Sequence, residues 1–304
     1  MQLPPALRDL PALAGASAVA LLRDLPQRQV WRIRLQGKPA YLKHFLGPDR
    51  QQAARGAEAR LREAGAALGQ GRNGAVQPLL LIAWAGVLVT EPAPGLTLGE
   101  ALRTAPAHAP LLARAGEWLA GLAAPSREAG SFGPRFWIDG LHQRLEATPR
   151  DWLDAGLVAT HLSAMQEQAP DLRQARVERA RMHGDPTGDN LFHDAASDRM
   201  TAIDMQDWGP IAVARDVARL LVWVESRSTT DAPRRINGIA AADYLALTGV
   251  SGLLSADQGP ILRFMIGELL LSYYLESGRQ AGRRAALARA MQAWAQPSSA
   301  SAAS

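Results

Sequence analysis

The chain has 304 residues, a net charge of +4 and 47% hydrophobic residues, values typical of a soluble globular protein long enough for two lobes. It contains no cysteine, which excludes disulfides, thiolate catalysis and cysteine–zinc sites and fits a reducing cytoplasm. Residues 1–95 hold 12 Lys and Arg against 6 Asp and Glu, whereas the remainder holds 21 against 23. A weakly basic first part suits an anionic ligand such as a nucleotide. No basic stripe with interleaved aromatics occurs, so nucleic-acid binding is not expected.

The first third of the chain alternates between β patterns and helical spacing. We expect a short amphipathic lead-in helix at Pro11–Leu22, because this apolar run lacks the positive flank of a signal peptide. Hydropathy and turn residues then predict four strands and one helix: strands at 29–35, 40–45, 77–81 and 86–90, and a helix at 51–68.

From Leu96 onward the pattern is mostly helical. It predicts helices at 97–103, 111–124, 135–147, 152–168, 212–226, 240–248, 259–277 and 279–296, with a short strand at 200–204. The apolar segment Ile261–Tyr274 carries Arg263 and Glu268 and is too short to span a membrane. The predicted organisation is α+β: a small lobe at 1–91, a Pro/Gly hinge and helical lobe at 92–296, and a disordered tail at 297–304.

The stretch His183–Asp194, "HGDPTGDNLFHD", is too polar and too rich in glycine and proline to bury itself as a helix or strand. His183, Asp185 and Asn190 have the H-x-D-x-x-x-x-N spacing of a kinase catalytic loop. In that loop the Asp accepts the proton of the substrate hydroxyl and the Asn binds magnesium. The alternative is a surface loop rich in Asx turns.

Asp204 leaves a short strand soon after this loop, and Asp207 is the next acid along the chain. Carboxylate and amide oxygens from separate loops suit Mg²⁺, with phosphate oxygens and water completing the shell. The sequence therefore predicts Asn190 and Asp204 as metal ligands. Trp208, beside them, is the tryptophan expected to contact substrate.

Lys43 lies inside an apolar strand run and is one of only two lysines in the chain. A kinase needs such an ammonium to hold the α- and β-phosphates and a helix glutamate to fix it. Glu58 and Glu63 are the candidates, and Glu58 is preferred because it precedes the apolar helical face. Lys38 sits in a turn and is expected to be exposed.

The linker "TEPAPG" contains two prolines, which have no N–H to donate. Ala93 therefore offers the only backbone donor between Glu91 and Gly95. The Ala93 N–H and the Glu91 carbonyl are the predicted adenine contacts.

Taken together, "HGDPTGDNLFHD", "AIDMQDWGP" and "ARDVARLL" resemble the aminoglycoside phosphotransferase / choline kinase family over about residues 25–225. The resemblance implies a protein-kinase-like two-lobe fold. It also implies Asp185 as base, Asn190 and Asp204 as metal ligands, and His183 and Asp216 as supports of the loop. The sequence departs from the kinase pattern at 24–30, "DLPQRQV", which has no glycine; backbone amides or Arg28 are left to contact phosphate.

These features predict an ATP- and Mg²⁺-dependent kinase of a small-molecule alcohol. The alternatives are a kinase of a protein or an envelope lipid sugar, and a non-catalytic nucleotide-binding scaffold. The region expected to form the acceptor wall, 220–257 with the late helices, offers six acids against eight arginines. That balance suits a neutral or anionic acceptor better than a polycationic aminoglycoside.

Overall fold

A computed structural model describes residues 2–69, 71–149, 151–206, 209–229 and 231–296. The strands are, in chain order, β1 (Ser17–Leu25), β2 (Arg28–Leu35), β3 (Lys38–Phe45), β4 (Asn73–Ala75), β5 (Pro78–Ile82), β6 (Val87–Thr90), β7 (Leu96–Thr97), β8 (Glu128–Ser131), β9 (Arg176–Ala180), β10 (Leu191–Asp194), β11 (Arg199–Ala202), β12 (Ile211–Ala212), β13 (Arg235–Ile236) and β14 (Ile239–Ala240). The α-helices are α1 (Pro5–Arg8), α2 (Arg50–Leu68), α3 (Leu98–Thr104), α4 (Ala109–Ala123), α5 (Pro134–Ala147), α6 (Ala155–Leu172), α7 (Val213–Glu225), α8 (Ala241–Thr248), α9 (Gly259–Glu276) and α10 (Ala281–Ala295).

The chain folds as two compact units. The first unit comprises residues 1–96 and 190–207, and the second comprises 97–189 and 208–304. The sequence-based boundary at residue 91 had assigned 190–207 to the helical lobe. These residues belong to the first unit because β11 pairs in parallel with β4, with Met200 opposite Asn73. The nucleotide-binding and catalytic roles given to the two lobes stay predictions, and the predicted disordered tail lies outside the described residues.

An antiparallel sheet in the order β1-β2-β3-β6-β5 forms the body of the first unit. Its buried face carries Trp31, Ile33, Leu42 and Val89, which pack with Leu7 of α1. Strands with one apolar face need such a cover, because burial of apolar side chains supplies most of their stability. Lys43 lies between Val30 and Leu88 in the middle of this sheet.

The predicted lead-in helix at Pro11–Leu22 is wrong. A short 3₁₀ turn covers Pro11–Leu13, Gly15 has a positive φ of 79°, and β1 begins at Ser17. β1 pairs with β2 from Ser17 opposite Arg34 to Leu25 opposite Arg28. Pairing satisfies the backbone groups of β2 along this edge, and that tertiary gain outweighs the helical preference of an Ala- and Leu-rich segment.

The prediction that His183–Asp194 cannot bury itself as a helix or strand is also wrong in part. Leu191–Asp194 form β10, which pairs antiparallel with β11. His183 is fully buried and Asn190 nearly so. Backbone groups of the segment are paired within the fold: the Gly184 N–H donates to Asp216 Oδ2 and the Thr187 N–H donates to the Asp185 carbonyl.

The second unit is mainly helical, with a small sheet in the order β12-β9-β8. The predicted helices of this part are confirmed, with ends that differ by up to four residues. α7 packs against α9, and nearly every side chain of both helices is buried, including the charged residues Asp216 of α7 and Glu268 of α9. In the described part of the chain, no helix is long and apolar enough to cross a bilayer. The mixed α+β architecture is as predicted.

Candidate active site

Two cations of the first unit converge on one oxygen of Asp204. The Lys43 Nζ lies 2.7 Å from Asp204 Oδ1, and the Arg28 Nη1 lies 3.2 Å from the same atom. Lys43 is only 9% exposed, so its charge is held within the sheet rather than in bulk water. A lysine at this depth is stabilised by a carboxylate partner, and Asp204 supplies it.

Asp204 follows β11 in a left-handed conformation, with φ of 60°. Aspartate tolerates this region better than most residues, and a turn here changes the direction of the chain directly after the strand. The Ile203 N–H donates to the Asn190 carbonyl at 3.0 Å, so Asn190 and Asp204 are held on neighbouring strands. The buried Arg60 of α2 donates from Nε to the Gln206 carbonyl at 3.1 Å. This bond holds the chain two residues after Asp204.

The predicted metal ligands are thus an amide and a carboxylate on adjacent segments. Within the described residues, no group of three or more His, Cys, Asp or Glu side chains forms a metal cluster. Mg²⁺ is commonly bound by one or two protein oxygens and completes its shell with phosphate oxygens and water. The donor set of Asn190 and Asp204 fits that ion, and not a closed all-protein cage.

The predicted glutamate partner of Lys43 is not found in this arrangement. Glu58 pairs with Arg62 on the same helix, and Glu63 pairs with Arg60 at 2.7 Å. No contact among the described residues joins Lys43 to either glutamate. Asp204 takes the ammonium because it is held beside the strand centre, whereas both glutamates have an arginine within one helical turn.

The linker after β6 presents the backbone groups expected to contact adenine. The Glu91 N–H donates to the Gln77 carbonyl at 3.1 Å, and the Gln77 N–H donates to the Glu91 carboxylate at 3.0 Å. These bonds fix the start of the linker. Among the described residues, neither the Glu91 carbonyl nor the Ala93 N–H has a hydrogen-bond partner, so both remain available to a ligand.

In the second unit, hydrogen bonds hold Asp185 from two sides. The Asp185 N–H donates to the His183 Nδ1 at 3.2 Å, and the Arg219 Nη1 donates to Asp185 Oδ1 at 2.9 Å. The Asp185 side chain is 35% exposed, so a substrate can reach it. His183 is fully buried and packs edge-on against Trp118, with ring centroids 5.9 Å apart. His183 therefore positions the loop, and of these two side chains only that of Asp185 is accessible to a substrate.

Asp216 supports the same loop from α7. Its Oδ2 accepts the Gly184 N–H at 2.9 Å, and its side chain is fully buried. Burial raises the pKa of Asp216 to about 6, opposed by the Gly184 hydrogen bond and the Arg215 charge. A carboxylate accepts a backbone N–H more strongly than a neutral carboxyl group does, so the Gly184 hydrogen bond favours the ionised form.

The loop also depends on a glycine. A Cβ on Gly188 would lie 2.4 Å from the Trp223 ring, and the Gly188 carbonyl accepts the Gly99 N–H at 2.9 Å. No side chain fits at this approach, so the last part of the loop requires glycine there.

Sequence reasoning missed three residues: Arg60, Arg219 and Tyr273, a buried residue of α9 on which the charges of Arg219 and Asp185 act. A signal existed for Arg219, which lies three residues after Asp216 and so shares its helix face. No local pattern distinguishes Arg60 among the arginines of α2, or Tyr273 within the apolar α9. Asp207 and Trp208, the reserve metal ligand and the proposed substrate contact, lie outside the described residues.

Solved structures with the same fold include several kinases. A choline/ethanolamine kinase family protein from Mesorhizobium loti matches with a TM-score of 0.62 and 19% identity, over 96% of this chain and 93% of that one. The aminoglycoside phosphotransferase APH(4)-Ia matches with a TM-score of 0.61 and 16% identity, over 93% and 94%. An ethanolamine kinase from Plasmodium vivax matches with a TM-score of 0.56 and 12% identity, over 95% and 84%. At these identities the likeness shows the fold alone.

No curated protein matches the sequence. The model of the phosphotransferase enzyme family, APH, matches residues 17–250, which include the hairpin of Lys43, the Asp185 loop and Asp204. The chain belongs to the phosphotransferase enzyme family.

Proposed function

We propose that this protein transfers the γ-phosphate of ATP to a hydroxyl of a small molecule in a magnesium-dependent reaction. The observation that carries the proposal is the buried pair of Lys43 and Asp204, 2.7 Å apart. A kinase uses a strand ammonium to hold the phosphates and an aspartate to hold the magnesium, and these two groups lie side by side here. The solved relative APH(4)-Ia was crystallised with ADP and hygromycin B, and another relative with GDP, which supports a nucleotide as donor.

Asp185 is the proposed base. The acceptor oxygen forms a bond to the γ-phosphorus while the bond from that phosphorus to the β-phosphate oxygen breaks. The hydroxyl proton moves to the Asp185 carboxylate and ADP leaves. The Arg219 contact fixes the Asp185 carboxylate and the His183 contact fixes the Asp185 backbone, so positioning supplies most of the contribution of this residue.

Lys43 and Arg28 are the proposed phosphate contacts. The turn between β1 and β2 has no glycine, so its backbone cannot approach phosphate as a glycine-rich loop does. Arg28 begins β2 next to that turn and already reaches a carboxylate oxygen. A guanidinium there supplies by side chain the positive charge that backbone amides supply elsewhere.

Asn190 and Asp204 would hold the magnesium ion, whose chemistry is to neutralise the charge that develops on the phosphates. The Ala93 N–H and the Glu91 carbonyl are the proposed adenine contacts. Base, metal ligands and lysine are all present in the chain, which favours catalysis over a non-catalytic scaffold.

Removing either proposed metal ligand should change ATP affinity measured with Mg²⁺ differently from ATP affinity measured without metal. Asp204→Ala and Asn190→Ala should each lower Mg²⁺-dependent ATP affinity by at least about tenfold, because each removes an oxygen ligand. Asp204→Ala should also raise metal-free ATP affinity, since it frees Lys43 and Arg28 from their carboxylate. Asn190→Ala should leave metal-free affinity unchanged.

Calorimetric titrations of ATP with Mg²⁺ and with a chelator measure both effects. Asp198→Ala is the matched control, because Asp198 is half-exposed and pairs with Arg72. Wild-type metal dependence in Asp204→Ala would show that the ion is bound elsewhere.

Arg28→Ala should raise the KM for ATP by about tenfold and change kcat less, because a phosphate contact at a partly exposed site contributes mainly to binding. Steady-state kinetics with varied ATP measure it. Arg32→Ala, an exposed arginine on the same strand, is the control. Equal effects from the two variants would mean that general charge, and not the position of Arg28, governs the affinity.

A further inference from the structure

Three hydrogen-bond donors lie near Asp185 in the second unit without a partner in the part of the chain that the structure describes. Two are the buried Nε atoms of Arg219 and Arg283. The third is the hydroxyl of Tyr273, a residue that is 5% exposed. Buried donors are normally satisfied, so the two arginine Nε atoms, with the Tyr273 hydroxyl in the same cluster, point to an acceptor group supplied by a ligand.

Tyr273 connects the members of this cluster. The Arg283 guanidinium carbon lies 5.0 Å from the centre of the Tyr273 ring. Burial raises the pKa of Tyr273 to about 12, and the charges of Arg219, Asp185, Glu276 and Arg283 also act on it. The phenol is therefore protonated at neutral pH and can donate a hydrogen bond to an anionic group.

The carboxylates of this region are already engaged. Asp185 pairs with Arg219 at 2.9 Å, and Asp189 pairs with Arg227 at 3.2 Å. Asp216 is buried behind the loop, where it accepts the Gly184 N–H. Glu276, at the end of α9, is exposed, so water screens its charge.

Arg283, by contrast, has no carboxylate within ion-pair distance among the described residues. Its guanidinium is partly buried against Tyr273, where its charge is screened less than that of an exposed group. The charge left uncompensated near Asp185 is therefore positive.

We propose that the acceptor alcohol carries an anionic group, a carboxylate or a phosphate, and that Arg283 and Tyr273 bind this group while the hydroxyl faces Asp185. The inference rests on the proposed function. An anion satisfies the unpartnered donors, whereas a cationic acceptor finds only carboxylates that arginines already hold. The anionic group is not altered in the reaction. The hydroxyl oxygen takes the γ-phosphoryl group, its proton passes to Asp185, and ADP leaves.

A matched series of three-carbon alcohols tests the charge preference. The probes are glycerol, glycerate, glycerol 3-phosphate and 3-amino-1,2-propanediol, and the full chain is titrated with each in the presence of Mg²⁺ and a non-hydrolysable ATP analogue. We expect at least one of the two acids to bind about tenfold or more tightly than glycerol and the amine. The stronger acid identifies the anionic group as carboxylate or phosphate. The proposal is overturned if the amine binds more tightly than both acids. It is also overturned if neither acid, nor inorganic sulfate, binds at millimolar concentration.

Arg283→Ala should remove the preference for the acid and leave glycerol binding unchanged. Arg284→Ala is the control on the same helix, because Arg284 lies over the Trp152 ring and donates to the Gly278 carbonyl. A preference that survives Arg283→Ala contradicts the assignment. A loss of ATP affinity in Arg283→Ala with unchanged acid binding would make Arg283 a nucleotide contact and also overturn it.

The nucleotide titrations separate this proposal from the function it rests on. Absence of any Mg²⁺-dependent ATP binding by the wild-type chain contradicts the phosphotransferase assignment itself. ATP binding together with turnover of the amine contradicts only the anionic acceptor.

Discussion

Asp185→Asn should reduce phosphoryl transfer by about 100- to 10,000-fold, the range that a positioned acid–base group typically contributes. The side-chain oxygen of the asparagine can still accept from Arg219, and the backbone N–H of residue 185 can still donate to His183. The loop should therefore keep its shape. What the amide lacks is the basicity to take the hydroxyl proton. Coupled assays of ADP release measure the loss, and calorimetry should give an unchanged ATP affinity.

Asp189→Asn provides the comparison within the same loop. Asp189 is half-exposed and pairs with Arg227 at 3.2 Å, and exposed pairs of this kind contribute little. Its activity should stay close to that of the wild type. Wild-type turnover in Asp185→Asn would remove this residue from the mechanism.

Lys43→Ala should lower kcat/KM for ATP by about 100-fold or more, a loss comparable to that of other preorganised charged or hydrogen-bonding groups. The variant removes a buried cation that lies 2.7 Å from Asp204, while the Arg28 contact to the same oxygen remains. Lys43→Arg should not restore activity, because a planar guanidinium is larger than the ammonium and the site between Val30 and Leu88 is enclosed.

Lys38→Ala is the control, since Lys38 is exposed at the start of β3. It should leave the kinetics unchanged. Thermal unfolding of all three variants checks that lost activity is not lost folding. Equal losses in Lys38→Ala and Lys43→Ala would contradict the role of the strand lysine.

Local patterns in the sequence predict the main helices and the central hairpin, because these depend on hydropathy periods and turn residues within short windows. They misplace the first strand, where an Ala- and Leu-rich run pairs with β2 although its composition favours a helix. Whether such a segment pairs is decided by the strand beside it, which no local window contains.

In the candidate site, too, local sequence patterns predict some features, whereas contacts between distant segments decide others. Asp185, Asn190 and Asp204 are recognisable because their order and spacing along the chain are restricted by the loop and strand that carry them. The partner of Lys43 is not recognisable in this way. Asp204 lies far from Lys43 in sequence, and the nearby Glu58 and Glu63 suit a helix-glutamate pattern, yet each is held by an arginine one turn away. Arg283 and Tyr273 are likewise brought together only by the packing of α9 and α10.

The first unit is formed by two separate segments of the chain, residues 1–96 and 190–207, so it can be completed only after the second segment has been synthesised. β4 leaves the ribosome more than 100 residues before β11, its partner, and Lys43 is made long before Asp204. At roughly 5–20 residues per second, this delay is on the order of ten seconds. Throughout that time β4 lacks its neighbour and the strand lysine lacks its counter-charge. The amino-terminal unit therefore cannot finish folding first, and a fragment ending at residue 96 is expected to retain the hairpin but to lack Asp204, the counter-charge of Lys43.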